Sequence, residues 1–251
     1  MAVDEPTETD RELVDAFRAD GWVLTEPFEP DTVAALIGWV EEVAAMEDRV
    51  LHHRERTAGG VQLCRTEDFV PHHDGLGRLL TEGRLPAIAA ALLGEPAVLY
   101  KEKINYKLAG GAGFSPHQDA PAYRFVDVHV SCLVAVDDTD LDNGCLEVVS
   151  GAHDRIHPMD ERGCIRADVV DTLDWIAVPV RAGQVLWFDS RTPHRSGPNR
   201  SSRARRALYP TYNAARAGDL RAAYYERKRA EFAASGDARI SLIGDFEGEV
   251  V

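Results

Sequence analysis

Three residues of the sequence have the types and the spacing of a metal site. His117 and Asp119 follow the glycine-rich run GGAGFSP and stand two positions apart. In an extended strand, positions i and i+2 project to the same side, so both side chains can reach one ion while Gln118 points away. His194 comes much later, after an apolar segment and a TP turn, and an antiparallel sheet brings such distant strand ends together. Two imidazoles and one carboxylate suit Fe(II) and leave positions open for a cosubstrate and dioxygen.

The segment after His194 helps to decide between a metal site and histidines that are only structural. The chain has nine histidines, and a buried histidine usually serves only as a hydrogen-bonded structural residue. One arginine directed back into a barrel would bind a carboxylate of a dicarboxylate cosubstrate through paired hydrogen bonds. A solvated basic turn is the alternative and fits some of the arginines. The segment contains Ser196, Asn199, Ser201, Arg203, Arg205 and Arg206 among its polar residues.

Composition narrows the range of partners. The 251 residues include 42 acidic and 28 basic side chains, for a formal net charge of -14. This balance argues against a nucleic-acid or anionic-membrane partner, because both require a basic surface. The start of the sequence has no signal-peptide pattern, and no apolar run reaches the ~18 residues of a membrane span. We therefore expect a cytoplasmic protein, monomeric or homodimeric, that binds a small molecule. Four cysteines without zinc or CxxC spacing are expected to be reduced and buried, namely Cys64, Cys132, Cys145 and Cys164.

The order of the predicted elements indicates the fold class. Residues 1–9 are polar and are expected to be disordered. Helices are predicted over Glu12–Arg18 and Asp219–Phe232, and a strand begins at Trp22. The middle of the chain holds many short strands. This order predicts a mainly β fold with flanking α-helices, a double-stranded β-helix (jelly-roll, cupin-like) barrel, with residues 1–251 forming a single domain.

Two β-hairpins are predicted in the middle of the chain. The turn LDNG joins the apolar stretches VDVHVSCLVAVDD and CLEVVSG, and the turn RAGQ joins WIAVPV to VLWFDS. Between the hairpins lies a long polar loop over residues 152–174, typical of a lid or of flexible surface. His52 and His53 belong to a charged segment that is expected to be solvated, since adjacent side chains diverge and do not share a metal.

The stretch AVLYKEKINYKL alternates as a strand. Its alternation places Lys101, Lys103, Asn105 and Lys107 on one side. A surface strand would explain these polar residues. If the same side instead faces inward, it offers cations and an amide to an anionic ligand.

Four segments of the sequence together carry a family resemblance. They are HQD, NGCLEVVSGAH, VLWFDSRTPHRSGPNRSSRARRAL and, near the start, DGWVLTEPF. The combination resembles the phytanoyl-CoA dioxygenase family of Fe(II)/2-oxoglutarate oxygenases and covers nearly the whole chain. The resemblance implies that His117, Asp119 and His194 bind the iron. It also implies that Arg205, assisted by Ser196, binds the distal carboxylate of 2-oxoglutarate.

The same resemblance suggests further cosubstrate contacts and a reaction. The family tends to place polar side chains from the strand before HxD on the cosubstrate, which would be Asn105 and Lys103, with Gln118 nearby. Related halogenases have Gly or Ala where this chain has Asp119, so hydroxylation of an unactivated C–H bond with dioxygen is expected.

A narrower resemblance concerns the substrate. YKEKINYKL followed by GGAGFSPHQDAPAY is similar to the bacterial branch with 2-aminoethylphosphonate dioxygenase and its trimethylammonio-phosphonate relatives. Lys101 and Lys107 would then suit a phosphonate dianion, and Tyr123 or Asp127 would meet an amine. Two alternatives stay open: a hydroxylase of a secondary-metabolite or amino-acid-derived substrate, and a metal-binding barrel that sequesters a small ligand.

Overall fold

The computed structural model describes residues 8–123, 128–235 and 244–245. Helix α1 includes Glu8 and Thr9, so the prediction of disorder is wrong for these two residues; residues 1–7 lie outside the described part. The closing helix is confirmed, whereas α3 and α4 had no counterpart in the sequence prediction. The helices are α1 (Glu8–Asp20), α2 (Pro30–Ala44), α3 (Asp74–Thr81), α4 (Arg84–Leu93), α5 (Ala167–Val170) and α6 (Arg221–Ser235).

The strands form two antiparallel sheets in the described part of the chain. Nine strands belong to the larger sheet, called sheet A: β1 (Trp22–Thr25), β2 (Leu51–Thr57), β3 (Gly60–Glu67), β4 (Ala97–Lys101), β5 (Lys103–Lys107), β7 (His129–Ala135), β10 (Val185–Asp189), β12 (Arg205–Leu208) and β13 (Thr211–Ala214). Five belong to sheet B: β6 (Gly113–His117), β8 (Leu146–Val148), β9 (Ile176–Val178), β11 (His194–Ser196) and β14 (Gly244–Asp245).

The central strands β7 and β10 of sheet A are buried on both faces, and the period of two residues directs their alternate side chains to two cores. In β10, Val185 and Trp187 join the core under the helices. Leu186 and Phe188 of the same strand join a second core with Leu146 of sheet B and its neighbours. The helices therefore cover the outer face of sheet A, and sheet B covers the inner face. The predicted class, mainly β with flanking helices, is confirmed.

Both predicted hairpins are wrong, because the chain changes sheets at each turn. β7 pairs with β10, β12 and β13 in sheet A, whereas β8 pairs with β9 and β11 in sheet B. β9 and β10 are likewise split between the two sheets. The LDNG turn is present, with the Asp140 and Asn143 side chains bonding each other's backbone amides. Turn residues mark where a strand ends, but they do not specify the partner of the next strand.

The predicted strand 97–108 is interrupted at Glu102. β4 pairs with β13, and β5 pairs with β3 and β12. The Glu102 backbone amide donates to the Tyr225 hydroxyl at 3.0 Å instead of to a neighbouring strand. The interruption separates Lys101 from Lys103 and ties this point of the sheet to α6.

The segment with His52 and His53 is also not solvated surface. It forms β2, which pairs with β3, and His53 is 1% exposed. Alternate residues of β2 are buried because this edge of sheet A is covered on one face.

Within the described residues, no helix has both the length and the apolar character needed to cross a membrane.

Candidate metal centre

The two histidines of the predicted triad meet because their strands are neighbours in sheet B. His117 ends β6 and His194 begins β11, and the two residues pair directly in the antiparallel register. The glycine run before His117 permits this close pairing. A Cβ atom on Gly113 would lie 2.6 Å from the Ser196 carbonyl oxygen, which is closer than unbonded atoms can approach.

The triad has the geometry of a metal centre. One donor atom from each of His117, Asp119 and His194 lies within 4.8 Å of the others, and all three residues are buried. The imidazole rings are 4.1 Å apart between centroids. Nδ1 of His117 is 2.7 Å from the Ser115 carbonyl oxygen, and Nδ1 of His194 is 3.0 Å from the Thr192 carbonyl oxygen. These bonds orient both rings and leave Nε2 of each as the metal donor.

The electrostatics of the triad match the protonation state that a metal requires. Burial and the neighbouring His194 lower the pKa of His117 to about 3, and burial lowers the pKa of His194. Burial alone would raise the pKa of Asp119, but His194 and the nearby lysines Lys101 and Lys103 lower it below its usual range. At neutral pH the site therefore offers two neutral imidazoles and one carboxylate, as metal binding demands.

A cavity of about 390 Å³, its open mouth included, lies beside the triad. Both sheets contribute to it. Its walls combine apolar side chains, which exclude water, with a small number of polar groups that can orient a ligand. The lining residues are Lys103, Asn105, Phe114, His117, Asp119, Ser131, Leu146, Phe188, His194, Tyr209 and Thr211.

Lys103 and Asn105 form the polar wall of this cavity, as the inward-facing interpretation of their strand predicts. Asn105 is 4% exposed, and its Oδ1 accepts a hydrogen bond of 3.1 Å from Arg65 Nε. Burial and the nearby Lys101 and Arg65 lower the pKa of Lys103 well below its usual value. An anion in the cavity would stabilise the charged form of this lysine.

Arg205 is a buried cation whose surroundings call for an anionic ligand. Its side chain is 0% exposed, and its Nε, Nη1 and Nη2 make no hydrogen bond of good geometry within the described ranges, Tyr209 being the neighbouring hydroxyl. The guanidinium carbon lies 6.0 Å from the centre of the Tyr209 ring, which also lines the cavity. A buried guanidinium is costly without hydrogen-bond acceptors. A carboxylate that enters here would supply them in paired geometry.

Lys107 and Ser196 form a hydrogen bond with each other. This contact bears on the predictions that Lys107 binds the substrate and that Ser196 assists Arg205. Lys107 Nζ donates to Ser196 Oγ at 2.7 Å, to the Gly197 carbonyl oxygen at 2.6 Å and to the Gly144 carbonyl oxygen at 3.4 Å. Lys107 therefore ties sheet A to sheet B. It does not belong to the cavity lining, and its three protons are already used. The prediction that it binds substrate is corrected.

Gln118 also differs from its prediction as a cosubstrate contact. Its Nε2 donates to the carbonyl oxygens of Arg155, at 2.8 Å, and Arg191. Its Oε1 accepts from the His157 backbone amide at 2.8 Å. Gln118 follows the last residue of β6, and these hydrogen bonds direct its side chain to the long loop after β8. This role corrects the prediction.

The remaining predicted substrate residues have different positions. Lys101 is buried and its Nζ lies 4.1 Å from the centre of the Tyr123 ring. Burial and Asp119 raise the pKa of Tyr123. These two residues adjoin the triad without belonging to the cavity lining. Asp127 lies outside the described residues.

Sequence reasoning missed several residues of the cavity. Ser131 shares a face of β7 with Leu133 and Ala135, so a polar residue at the end of an apolar face was the available signal. Its hydroxyl donates to Asp119 Oδ2 at 3.4 Å. Tyr209 and Thr211 follow β12 and had no local signal. Arg65 had none either, because an arginine between polar residues usually lies on the surface.

A buried His-Asp-His donor set inside two antiparallel sheets, with a buried arginine nearby, defines the class of non-haem iron oxygenases. Residues 17–207 match the family model described as Phytanoyl-CoA dioxygenase (PhyH). The chain belongs to the phytanoyl-CoA dioxygenase family. It is therefore an enzyme, a dioxygenase that uses Fe(II), 2-oxoglutarate and dioxygen, and the alternative of a non-catalytic metal-binding barrel does not hold.

Known relatives span nearly the same length as this chain. A methylphosphonate hydroxylase from Gimesia maris is 45% identical over 254 residues, with 97% of each chain covered. A 2-aminoethylphosphonate dioxygenase from the uncultured bacterium HF130_AEPn_1 is 33% identical, with 86% of each chain covered. The non-heme alpha ketoglutarate dependent epimerase SnoN superposes with a TM-score of 0.72 at 25% identity, over 82% of this chain and 84% of its own. The superposition confirms the predicted fold class.

Proposed function

We propose that this enzyme hydroxylates the carbon atom next to phosphorus in a small phosphonate, and that its substrate is methylphosphonate. The observation that carries the proposal is the polar wall: a lysine and an amide lie together in a cavity that also contains the triad. An ammonium and an amide suit the oxygens of a phosphonate. The similarity to a methylphosphonate hydroxylase supports this choice.

His117, Asp119 and His194 are the iron ligands in this proposal. Their fit rests on the chemistry of the donor set, since nitrogen and carboxylate donors in this ratio suit Fe(II) and leave positions open. Arg205 binds the distal carboxylate of 2-oxoglutarate. Its fit rests on a buried guanidinium that makes no hydrogen bond of good geometry to the described residues.

When bound, iron with 2-oxoglutarate and dioxygen supplies the oxidant that replaces one C–H bond of the substrate by C–OH and releases succinate and carbon dioxide. The residues of the chain contribute position and environment. Lys103 and Asn105, which the family resemblance assigned to the cosubstrate, are here proposed to hold the phosphonate oxygens, so that the adjacent carbon points towards the triad. Phe114, Leu146 and Phe188 exclude water from the cavity.

The charge of the cavity favours methylphosphonate over 2-aminoethylphosphonate. Among the lining residues that the structure describes, Asp119 is the only carboxylate, and this proposal assigns it to the iron. An ammonium group would therefore meet no further carboxylate among the described lining residues and would lie in the same cavity as Lys103. A phosphonate without an amine avoids this unfavourable desolvation.

The test is a substrate panel with the iron-loaded enzyme and 2-oxoglutarate. Methylphosphonate, 2-aminoethylphosphonate and a trimethylammonio-phosphonate are compared with the matched carboxylate acetate and with amino acids. Succinate formation reports turnover, and phosphorus NMR reports the hydroxylated product. We expect methylphosphonate to stimulate succinate formation most strongly, with one hydroxylated product formed for each succinate.

Two results would contradict the proposal at different levels. If 2-aminoethylphosphonate is the better substrate, the argument from charge is wrong but the reaction class of phosphonate hydroxylation stands. If no phosphonate raises succinate formation above the rate without substrate, the phosphonate proposal fails.

A further inference from the structure

Helix α6 lies beyond the part of the chain that matches the family model, which ends at residue 207. It is nevertheless bonded to sheet A near the cavity. Arg221 contacts Glu102 and Asp68, and Arg229 also contacts Asp68. The fourth charged contact is between Lys228 Nζ and Glu67 Oε2. This last contact leads from the helix to the polar wall.

A continuous series of side chains joins Lys228 to Asn105. Lys228 Nζ donates to one oxygen of Glu67, and Arg65 Nη1 lies 3.5 Å from the other oxygen. Arg65 Nε then donates to Asn105 Oδ1 at 3.1 Å. We call these four residues, Lys228, Glu67, Arg65 and Asn105, the α6 relay. Glu67 is 2% exposed and Arg65 is 5% exposed, so solvent does not replace these contacts.

The relay specifies which end of the Asn105 amide is available to a ligand. A guanidinium has only hydrogen-bond donors, so Arg65 must bond the oxygen of the amide. The NH₂ group of Asn105, which carries two donors, is then left for a ligand in the cavity. If Arg65 moved away, the amide would be able to rotate and present its oxygen, which repels an anion.

Glu67 holds Arg65 in place, and Lys228 helps to keep Glu67 ionised. Burial alone would raise the pKa of Glu67, but Lys228, Arg65 and His53 lower it below its usual range. Loss of the Lys228 ammonium removes one of these cations from a buried carboxylate. The oxygen that Lys228 held then has no donor, so the carboxylate is no longer fixed in the position in which its other oxygen faces Arg65.

We propose that Lys228, Glu67 and Arg65 are positioning residues that fix the Asn105 amide with its NH₂ group towards an anionic ligand. That the ligand is a phosphonate rests on the proposed function. The orientation of the amide does not rest on it. Helix α6 thereby takes part in setting the affinity of the cavity for its substrate.

The adjacent residues Lys228 and Arg229 provide a matched pair of variants. Both lie in α6 and both pair with carboxylates of the same region, but Arg229 pairs with Asp68, outside the relay. Lys228→Met is expected to raise the KM for methylphosphonate about 5–10-fold with kcat changed less than about 2-fold, as when a ground-state contact is weakened. Arg229→Met is expected to leave KM unchanged, and Lys228→Arg to restore it.

A second measurement does not depend on turnover. In the zinc-loaded protein labelled with ¹⁵N-asparagine, the side-chain NH₂ signal of Asn105 is assigned by its loss in Asn105→Ser. This signal is expected to shift in Lys228→Met and in Glu67→Gln and to stay in place in Arg229→Met. A signal that does not move in Lys228→Met, or that moves equally in Arg229→Met, overturns the relay. If the signal moves as expected but the wild-type enzyme oxidises no phosphonate, the proposed function fails and the relay stands.

Discussion

Two sides of the cavity are built by different means. On the iron side, both histidines are oriented by carbonyl oxygens two residues earlier in the chain, those of Ser115 and Thr192. On the polar wall, Asn105 is oriented by Arg65, and the series of contacts continues to Lys228 in the last described helix. The iron side therefore depends on local backbone, whereas the polar wall depends on contacts between distant elements. The iron side carries the chemistry that is common to the family, and the polar wall carries the proposed affinity for the substrate.

The two sides also differ in charge. The iron side has two neutral imidazoles and one carboxylate and attracts a cation. The polar wall has Lys103 with Lys101 and Arg65 close by and attracts an anion. In the proposed function, the phosphonate oxygens are therefore assigned to the polar wall.

Replacement of a ligand tests the iron side most severely. In His194→Ala we expect loss of bound iron and turnover below about 1% of wild type, since even residues behind the ligands contribute 10–100-fold. Iron content and succinate formation are measured together. His72→Ala, which removes a histidine outside the cavity lining, serves as control. Unchanged iron binding in His194→Ala would exclude the triad.

Arg205→Met tests the binding of the cosubstrate while the iron ligands and the polar wall stay intact. Loss of the guanidinium is expected to weaken 2-oxoglutarate binding by about 2–5 kcal/mol, the usual cost of removing one partner of a buried charged pair. The unfolding temperature without 2-oxoglutarate is expected to change little, because the guanidinium makes no hydrogen bond of good geometry to the described residues. Titration of the cosubstrate by tryptophan fluorescence measures the effect.

The neighbouring arginine of the same strand provides the control. Arg206 pairs with Asp137, and Arg206→Met is expected to retain its affinity for 2-oxoglutarate. Equal losses in both variants would show that the effect is a general weakening of β12.

The pH dependence of the free energy of unfolding tests the role of Glu67 behind the polar wall. The folded-state pKa of Glu67 is depressed, so its stabilising effect is present above the ordinary value of 4.5 and is lost as the pH falls below it. Glu67→Gln leaves Lys228 and Arg65 without their carboxylate and is expected to cost about 3 kcal/mol at pH 7. The difference from wild type should shrink as the pH falls from about 5 to 3. Denaturant unfolding across this range measures it, and a constant difference would contradict the assignment.

The smallest expected effect concerns the approach of β6 to β11. Gly113→Ala is expected to destabilise the protein by about 2 kcal/mol, typical of an overpacked site, and to lower iron affinity by separating the two histidines. Gly38→Ala is the control, because its Cβ atom would meet no atom within 4 Å. In the middle of α2 this change should stabilise by about 0.5–1 kcal/mol. Thermal unfolding compares the two. A stability loss with unchanged iron affinity would show that the strands tolerate the added atom.

Much of the iron side was predictable from the sequence. The short spacing of His117 and Asp119 keeps their side chains close, but Asp119 lies beyond the end of β6 with helical backbone angles, so strand alternation does not place it. His194 lies at the start of a strand that pairs with β6. The polar wall was predictable only as an alternative to a surface strand. Lys107 shows why. The same alternation places it on the side of Asn105, yet its ammonium donates to Ser196 in β11, to the Gly197 carbonyl oxygen just after β11 and to the Gly144 carbonyl oxygen in the LDNG turn.

The hairpins show the same limit at the level of the fold. Apolar alternation located β7, β8, β9 and β10, but each predicted pair is divided between two sheets. Alternation reports that a strand has two faces and where it ends. It does not report which strand lies beside it, because that choice depends on how all strands together bury their apolar faces.

From the sequence, residue types at short spacings predicted the strands and the pair His117 and Asp119. The resemblance to a known family, carried by segments spread over the chain, predicted the class of the enzyme and assigned His194 as the third metal donor. Only the tertiary structure decided that Lys107 joins the two sheets, that Gln118 fixes a loop, and that Arg65 reaches Asn105. These contacts join residues that are distant in the chain, and their partners are selected by the packing of the sheets and of α6.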